Sequence, residues 1–240
     1  KMTLQMTNQK QTQQFFKQMI QKLMLNMSIT PQTLERALKY IRSPQKRKLF
    51  VYELSNERAN VEKRELQDIQ FLLLSSLFKA SFDSMIIEGS CVDRNSFGKD
   101  ALLLINMSMT YYRTISGSKQ YIAEMLKSHQ AFTNSSFWQH AFKQEVKQEY
   151  AKQMSMTSMD ISTTTDQESD NNEMVNLIRQ STLHFFALAF AEFGRSREEY
   201  FSFCKYICKL YKIELSTQDM NDMALPFNKK VQKQSQEKAQ

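Results

Sequence analysis

Apolar positions along the chain recur at helical spacing, and one stretch sets the frame for the rest. From Leu66 to Ile87 the sequence reads LQDIQFLLLSSLFKASFDSMII, without Gly or Pro and with polar positions too scattered to make one wide wet face. A helix that is apolar on most sides is buried on most sides. Residues of about 60–88 are therefore expected to form the central helix of an all-α fold, an irregular multi-helix bundle of about eight helices.

The flanking patterns supply the other helices. Residues 1–8 read as a disordered lead, after which Phe15, Phe16, Met19, Ile20, Leu23 and Met24 share one face of a helix from about Gln9 to Asn26. Thr30 followed by Pro31 and Ser43 followed by Pro44 are start signals, with Leu34, Ala37, Leu38 and Ile41 inside the first helix and Leu49, Phe50 and Leu54 inside the second. Beyond the central helix, GSCVDRNSFG reads as a loop and Lys99 to Ile115 as a mostly buried helix. Gly117 turns the chain into a short helix bearing Tyr121, Ile122, Met125 and Leu126. Asn134 or Ser135 caps another, striped by Phe137, Trp138, Ala141, Phe142, Val146 and Tyr150.

Residues 153–172, rich in Ser, Thr, Met, Asp and Asn, show no helical pattern and read as an acidic flexible linker. It separates a main domain over 9–152 from a helical pair over 173–225 that is expected to pack back onto it. In the pair, Met174 to Phe193 is strongly apolar, Ser196 with Glu199 forms a capping box for the next helix, and Ser216 with Asp219 starts a short one ending at Pro226. Residues 226–240 read as a loose basic tail. All four Gly and all three Pro fall at expected helix boundaries, and that agreement is the best support for the all-α reading.

Composition adjusts this picture in three ways. A chain of 240 residues with 41% hydrophobic content fills a real core. The net charge of +7 points to an acidic partner or to a solvated surface, and Asp160, Asp166, Glu168, Asp170 and Glu173 leave the rest of the chain still more basic. Cys91, Cys204 and Cys208 fit no disulfide framework, so free thiols in a reducing, intracellular compartment are expected, cytoplasmic or cytoskeletal. No apolar run reaches the roughly 20 residues a bilayer span needs. The chain begins at Lys1 without a Met, as a fragment or processed form would.

Chemical motifs are scarce. Cys204 and Cys208 share a helix face as metal ligands or a redox pair do, but their aromatic surroundings and the lack of a second Cys or His pair point to packed core thiols. His129, His140 and His184 are isolated, and His184 beside Phe185 reads as a hydrogen-bonded core residue. Four scattered Gly provide no phosphate-cradling loop. Glu198 and Glu199 are explained by the first turn of a helix. No catalytic residue, cofactor or metal ligand is expected. Arg36, Lys39, Arg42, Lys46, Arg47 and Lys48 form the densest basic cluster, either a contact for an acidic partner or a solvated helix face, and nearby Phe50 and Tyr52 read as core.

Three stretches carry a resemblance: LLLINMSMTYYR (Leu102 to Arg113), FWQHAF (Phe137 to Phe142) and FGRSREEYFSFCKYICKLYKI (Phe193 to Ile213). They resemble the all-helical SET-binding-factor domain of myotubularin-related pseudophosphatases and related uncharacterised eukaryotic proteins. The resemblance implies a non-catalytic helical module of trafficking or scaffolding proteins and supplies no catalytic residues. The expected function is a non-enzymatic protein–protein interaction, scaffold or adaptor module, a subunit of a larger complex. The alternative is an electrostatic binder of an acidic polymer: microtubules or tubulin, an anionic membrane surface or, less favoured, RNA.

Overall fold

The computed structural model describes residues 2–60, 64–87, 91–92, 99–157 and 167–237. Eleven helices appear among them, with two small antiparallel two-stranded sheets. The chain divides into two compact units, Lys1–Ala131 and Phe132–Gln240. The division falls inside the short helix α7 (Gln130–Thr133), well ahead of the 153–172 stretch.

Unit 1 begins with α1 (Met2–Met24), α2 (Pro31–Ile41) and α3 (Pro44–Asn60). Helix α1 starts at Met2, so the backbone of 2–8 is helical where a disordered lead was expected. Thr30 caps α2 by accepting from the amide of Thr33, and Asn26 takes the left-handed conformation that ends α1. Phe16 meets Phe50 with ring centroids 5.5 Å apart, and Gln13 Nε2 donates to Glu53 Oε1 at 2.6 Å, so α1 and α3 run antiparallel.

The central helix is shorter than its apolar pattern. Helix α4 spans Asp68–Asp83, preceded by extended chain and followed by β1 (Ile86–Ile87), which pairs with β2 (Cys91–Val92). Leu66 N donates to Tyr112 O at 2.8 Å and Tyr112 N to Arg64 O at 3.2 Å, so tertiary pairing draws Arg64–Leu66 away from helix. Phe71, Leu74, Leu77, Phe78 and Phe82 are buried, whereas Ile69 and Leu72 face solvent. Ser75 and Ser81 are tolerated in the core because their hydroxyls donate to Phe71 O and Leu77 O, one turn back.

A hairpin replaces the second half of the helix expected over 99–115. Helix α5 (Lys99–Ser108) stops where β-branched and aromatic residues begin, and β3 (Tyr112–Ile115) pairs with β4 (Ser118–Tyr121). Ser116 at φ 49° and Gly117 at φ 80° make the two-residue turn, both central positions at positive φ as the right-handed strand twist favours. Helix α6 (Ile122–Met125) follows. The expected loop at 89–98 lies outside the described residues except for the two of β2.

Unit 2 is built from α8 (Ser135–Thr157), α9 (Gln167–Glu192), α10 (Arg197–Tyr211) and α11 (Thr217–Glu237). Helices α8 and α9 extend into the expected linker from both sides, and only 158–166 of it lies outside the described residues. Asn134 Oδ1 accepts from the Ser136 amide at the start of α8. Ser196 and Glu199 form the expected capping box, and Gly194 and Lys212 supply left-handed residues after α9 and α10. Helix α11 passes through Pro226 instead of ending there. Met223, Ala224 and Phe227 are buried on either side of the proline, and that packing holds the helix across it.

Candidate functional site

Unit 2 is held by an aromatic network. Phe132 stacks on Phe193 at 3.9 Å, Trp138 lies 4.3 Å from Phe190, and Phe186 stacks on Phe203. Trp138 satisfies its indole N–H on Phe132 O at 2.9 Å. Between the start of α8, the end of α9 and the first turns of α10 the network opens into a groove of about 470 Å³. Phe132, Trp138, Phe190 and Phe203 form its floor; Gln139, Ser202 and the exposed Tyr206 line it above.

The groove's charged rim follows from the capping box. Glu199 accepts from Ser196 N and pairs with Arg195, which holds both at the lip. Glu198 is fully exposed, and hydrogen bonds from its own backbone and from Ser196 lower its pKa below the ordinary carboxylate value. The site therefore presents an apolar slot beside an ionised carboxylate. Such an arrangement can seat an apolar anchor next to a cationic side chain. It offers no nucleophile paired with a base.

Two of the three stretches that carry the sequence resemblance meet here. FWQHAF supplies Trp138 and Gln139, and the stretch from Phe193 supplies Arg195, Glu198, Glu199, Ser202, Phe203 and Tyr206. Spacing alone did not mark the groove, because its apolar floor looks like ordinary core and its glutamates like ordinary first-turn acids. The only advance sign was the concentration of aromatics in these two stretches.

The other sequence candidates fall differently. Arg36, Lys39, Arg42 and Lys48 are exposed, and Lys46 is half-buried with Nζ 4.1 Å above the Tyr40 ring. Arg47 is not part of that surface. It is 0% exposed, donates from Nε to Asp100 Oδ2 at 2.7 Å and from Nη1 to Ser84 Oγ at 2.8 Å, and lies on the inner face of α3 with Phe50, Val51 and Leu54. Tyr52, expected in the core, is exposed.

Cys204 is buried, which pushes its thiol up to about 12, and the half-buried Cys208 is raised by the same cause. Both therefore hold their protons at neutral pH. No cluster of His, Cys, Asp and Glu able to hold a metal ion occurs among the described residues. His184 is half-exposed, 3.8 Å from Asp219, and not the core residue expected. His129 is buried against Phe82; its Nδ1 accepts from the Ala131 amide, which leaves Nε2–H to donate to Asp83 Oδ1 at 2.8 Å. Burial lowers its pKa despite that carboxylate.

No helix among the described residues is long and apolar enough to cross a membrane. No curated protein and no solved structure matches the chain. The family model described as SBF2, Myotubularin protein, matches residues 3–199, running through unit 1 and into unit 2 as far as the capping box of α10. With most of its 240 residues inside that match, the chain belongs to the SBF2 myotubularin-related family.

Proposed function

We propose that this protein is a non-catalytic helical interaction module, a scaffold or adaptor within a larger assembly, and that the unit 2 groove seats a partner polypeptide. One observation carries the reading. The two aromatic stretches converge on an apolar slot with an acidic lip, and that lip is fixed by a helix cap instead of being aimed at a reacting centre. The occupant that fits is an aliphatic or aromatic side chain carried next to a Lys or Arg, the first desolvated on Trp138, Phe190 and Phe203, the second facing Glu198.

The test is affinity capture from native extract at high salt, comparing the full chain with Ser202→Trp, which fills the slot, and Tyr206→Glu, which adds charge at its mouth. Proteins held through the apolar slot survive high salt on the natural chain and are lost from both variants. Equal retention by all three chains would move the interaction elsewhere. Turnover of any substrate, abolished by one polar substitution, would defeat the non-catalytic reading.

A further inference from the structure

Unit 1 carries a second surface, unrelated to the groove. The connection between α1 and α2 exposes Leu25 at 70% and Met27 at 49%, and the first turns of α4 expose Ile69 at 68% and Leu72 at 46%. Gln67 N donates to Asn26 Oδ1 and Gln70 Nε2 to Met27 O, so the α1–α2 connection and the start of α4 meet at one corner of the unit. Both adjoining segments therefore leave large apolar side chains in solvent.

Cations lie on the two helices that the connection joins, while the exposed Asp68 beside Ile69 is already paired with Arg113. Lys22 precedes Leu25 by one helical turn, and Arg36 and Lys39 lie on the exposed side of α2. Among the described residues, no carboxylate lies within ion-pair distance of Lys22, Arg36, Lys39, Arg42, Lys46 or Lys48, whereas Arg113, Lys127, Lys152 and Arg195 each have one. Two of the unpaired cations are ordered by rings instead. Arg36 lies 4.8 Å from the Phe15 centroid and donates Nε–H to the Tyr40 hydroxyl, and Lys46 sits over the same Tyr40. Held in place without a counter-charge, they are ready for an external anion.

We propose that this corner docks on an anionic lipid surface, with Leu25, Met27, Ile69 and Leu72 entering the headgroup boundary and Lys22, Arg36 and Lys39 meeting lipid phosphates and carboxylates. Apolar side chains beside unpaired cations are what such an interface takes up. A nucleic acid would leave the apolar corner unused, and it would find the half-buried rings of Phe15 and Tyr40 already covered by Arg36 and Lys46, with no face left for a base. The cations are spread over α1 and α2, which suits many headgroups better than one phosphate.

The experiment is sedimentation of the full chain with vesicles of phosphatidylcholine, alone or with about a third phosphatidylserine, at low and physiological salt. Binding is expected only with the anionic lipid. It should fall at least about tenfold in Arg36→Glu/Lys39→Glu and about tenfold in Leu25→Ser/Met27→Ser, with circular dichroism confirming that both variants fold. Leu25→Trp should blue-shift its emission on anionic vesicles. Inorganic phosphate at millimolar concentration should not compete; full competition would make the site a free-anion site and overturn the lipid assignment. Absence of binding to anionic vesicles, binding by either double variant as tight as by the natural chain, or tighter binding to single-stranded RNA that Arg36→Glu/Lys39→Glu abolishes would each overturn the proposal. Each outcome is read independently of the unit 2 groove.

Discussion

The two units use charge in opposite ways. Unit 1 has nineteen Lys and Arg against eleven Asp and Glu, while unit 2 has thirteen against fourteen, so the whole basic excess of the chain lies in unit 1. Unit 1 also buries charge, with Arg47 on Asp100 in its interior. Unit 2 relies on rings: Phe132, Trp138, Phe142, Phe186, Phe190, Phe193 and Phe203 contact one another edge-on, tilted or stacked. A buried ion pair specifies one arrangement at a desolvation cost, whereas an aromatic network stabilises by area and tolerates a slot in its surface.

The most severe test of the contrast is Arg47→Ala. Removing the guanidinium leaves Asp100 buried with neither oxygen bonded among the described residues, and the expected loss is about 3 to 5 kcal/mol. Urea denaturation measures it, and Arg47→Met with Asp100→Leu should recover most of the loss, since neither member of this pair is then left charged. The matching change in unit 2, Phe186→Ala, should cost about 3 kcal/mol, because Phe142 and Phe203 can close part of the cavity. Hydrogen exchange should show α9 and α10 losing protection in that variant while α3 keeps it. A cost in Phe186→Ala larger than in Arg47→Ala would reverse the ranking of the two strategies.

Smaller effects sharpen it. Ser196→Ala removes the cap of α10 and should cost about 1 kcal/mol. It also removes the hydroxyl that bonds Glu198, the carboxylate proposed to face the partner's cation, so groove-dependent capture should weaken more than stability does. The smallest effect is expected from His129. Its pKa is lowered from the ordinary 6.5 because burial outweighs Asp83, so the unfolded chain takes up the proton first. Stability contributed by the neutral imidazole is complete above about pH 6.5 and declines as pH falls toward the lowered value. Melting curves between pH 5 and 7 should show this slope in the natural chain and not in His129→Gln; a slope of opposite sign would mean that the Asp83 pair dominates.

The caps were readable in advance because they are local. Thr30, Ser196 with Glu199 and Gly194 act on amides or dihedrals within a few residues, and each appears at the expected place. The Ser116–Gly117 hairpin is not legible in this way although Gly117 marks a turn, since the apolar residues before it fit a helix and a strand equally well. Tyr112 pairs with both Tyr121 and the Arg64–Leu66 segment, and that partnership settles its conformation. Arg47 shows the same limit for a site. Flanked by Lys46 and Lys48 it reads as one more surface cation, and only Asp100, 53 positions away, makes its burial affordable.

The sequence by itself determined the all-α class, most helix starts and the aromatic concentration of the C-terminal half, because these follow from periodicity, capping and composition acting over a turn or two. Tertiary structure decided which cations stay in solvent, where the central helix yields to extended chain, and that Trp138, Phe190 and Phe203 leave a slot under Glu198 and Tyr206. Those outcomes depend on residues brought together from distant positions. A helix face has no fixed neighbour until another element covers it, and the charge or cavity it presents is settled only then.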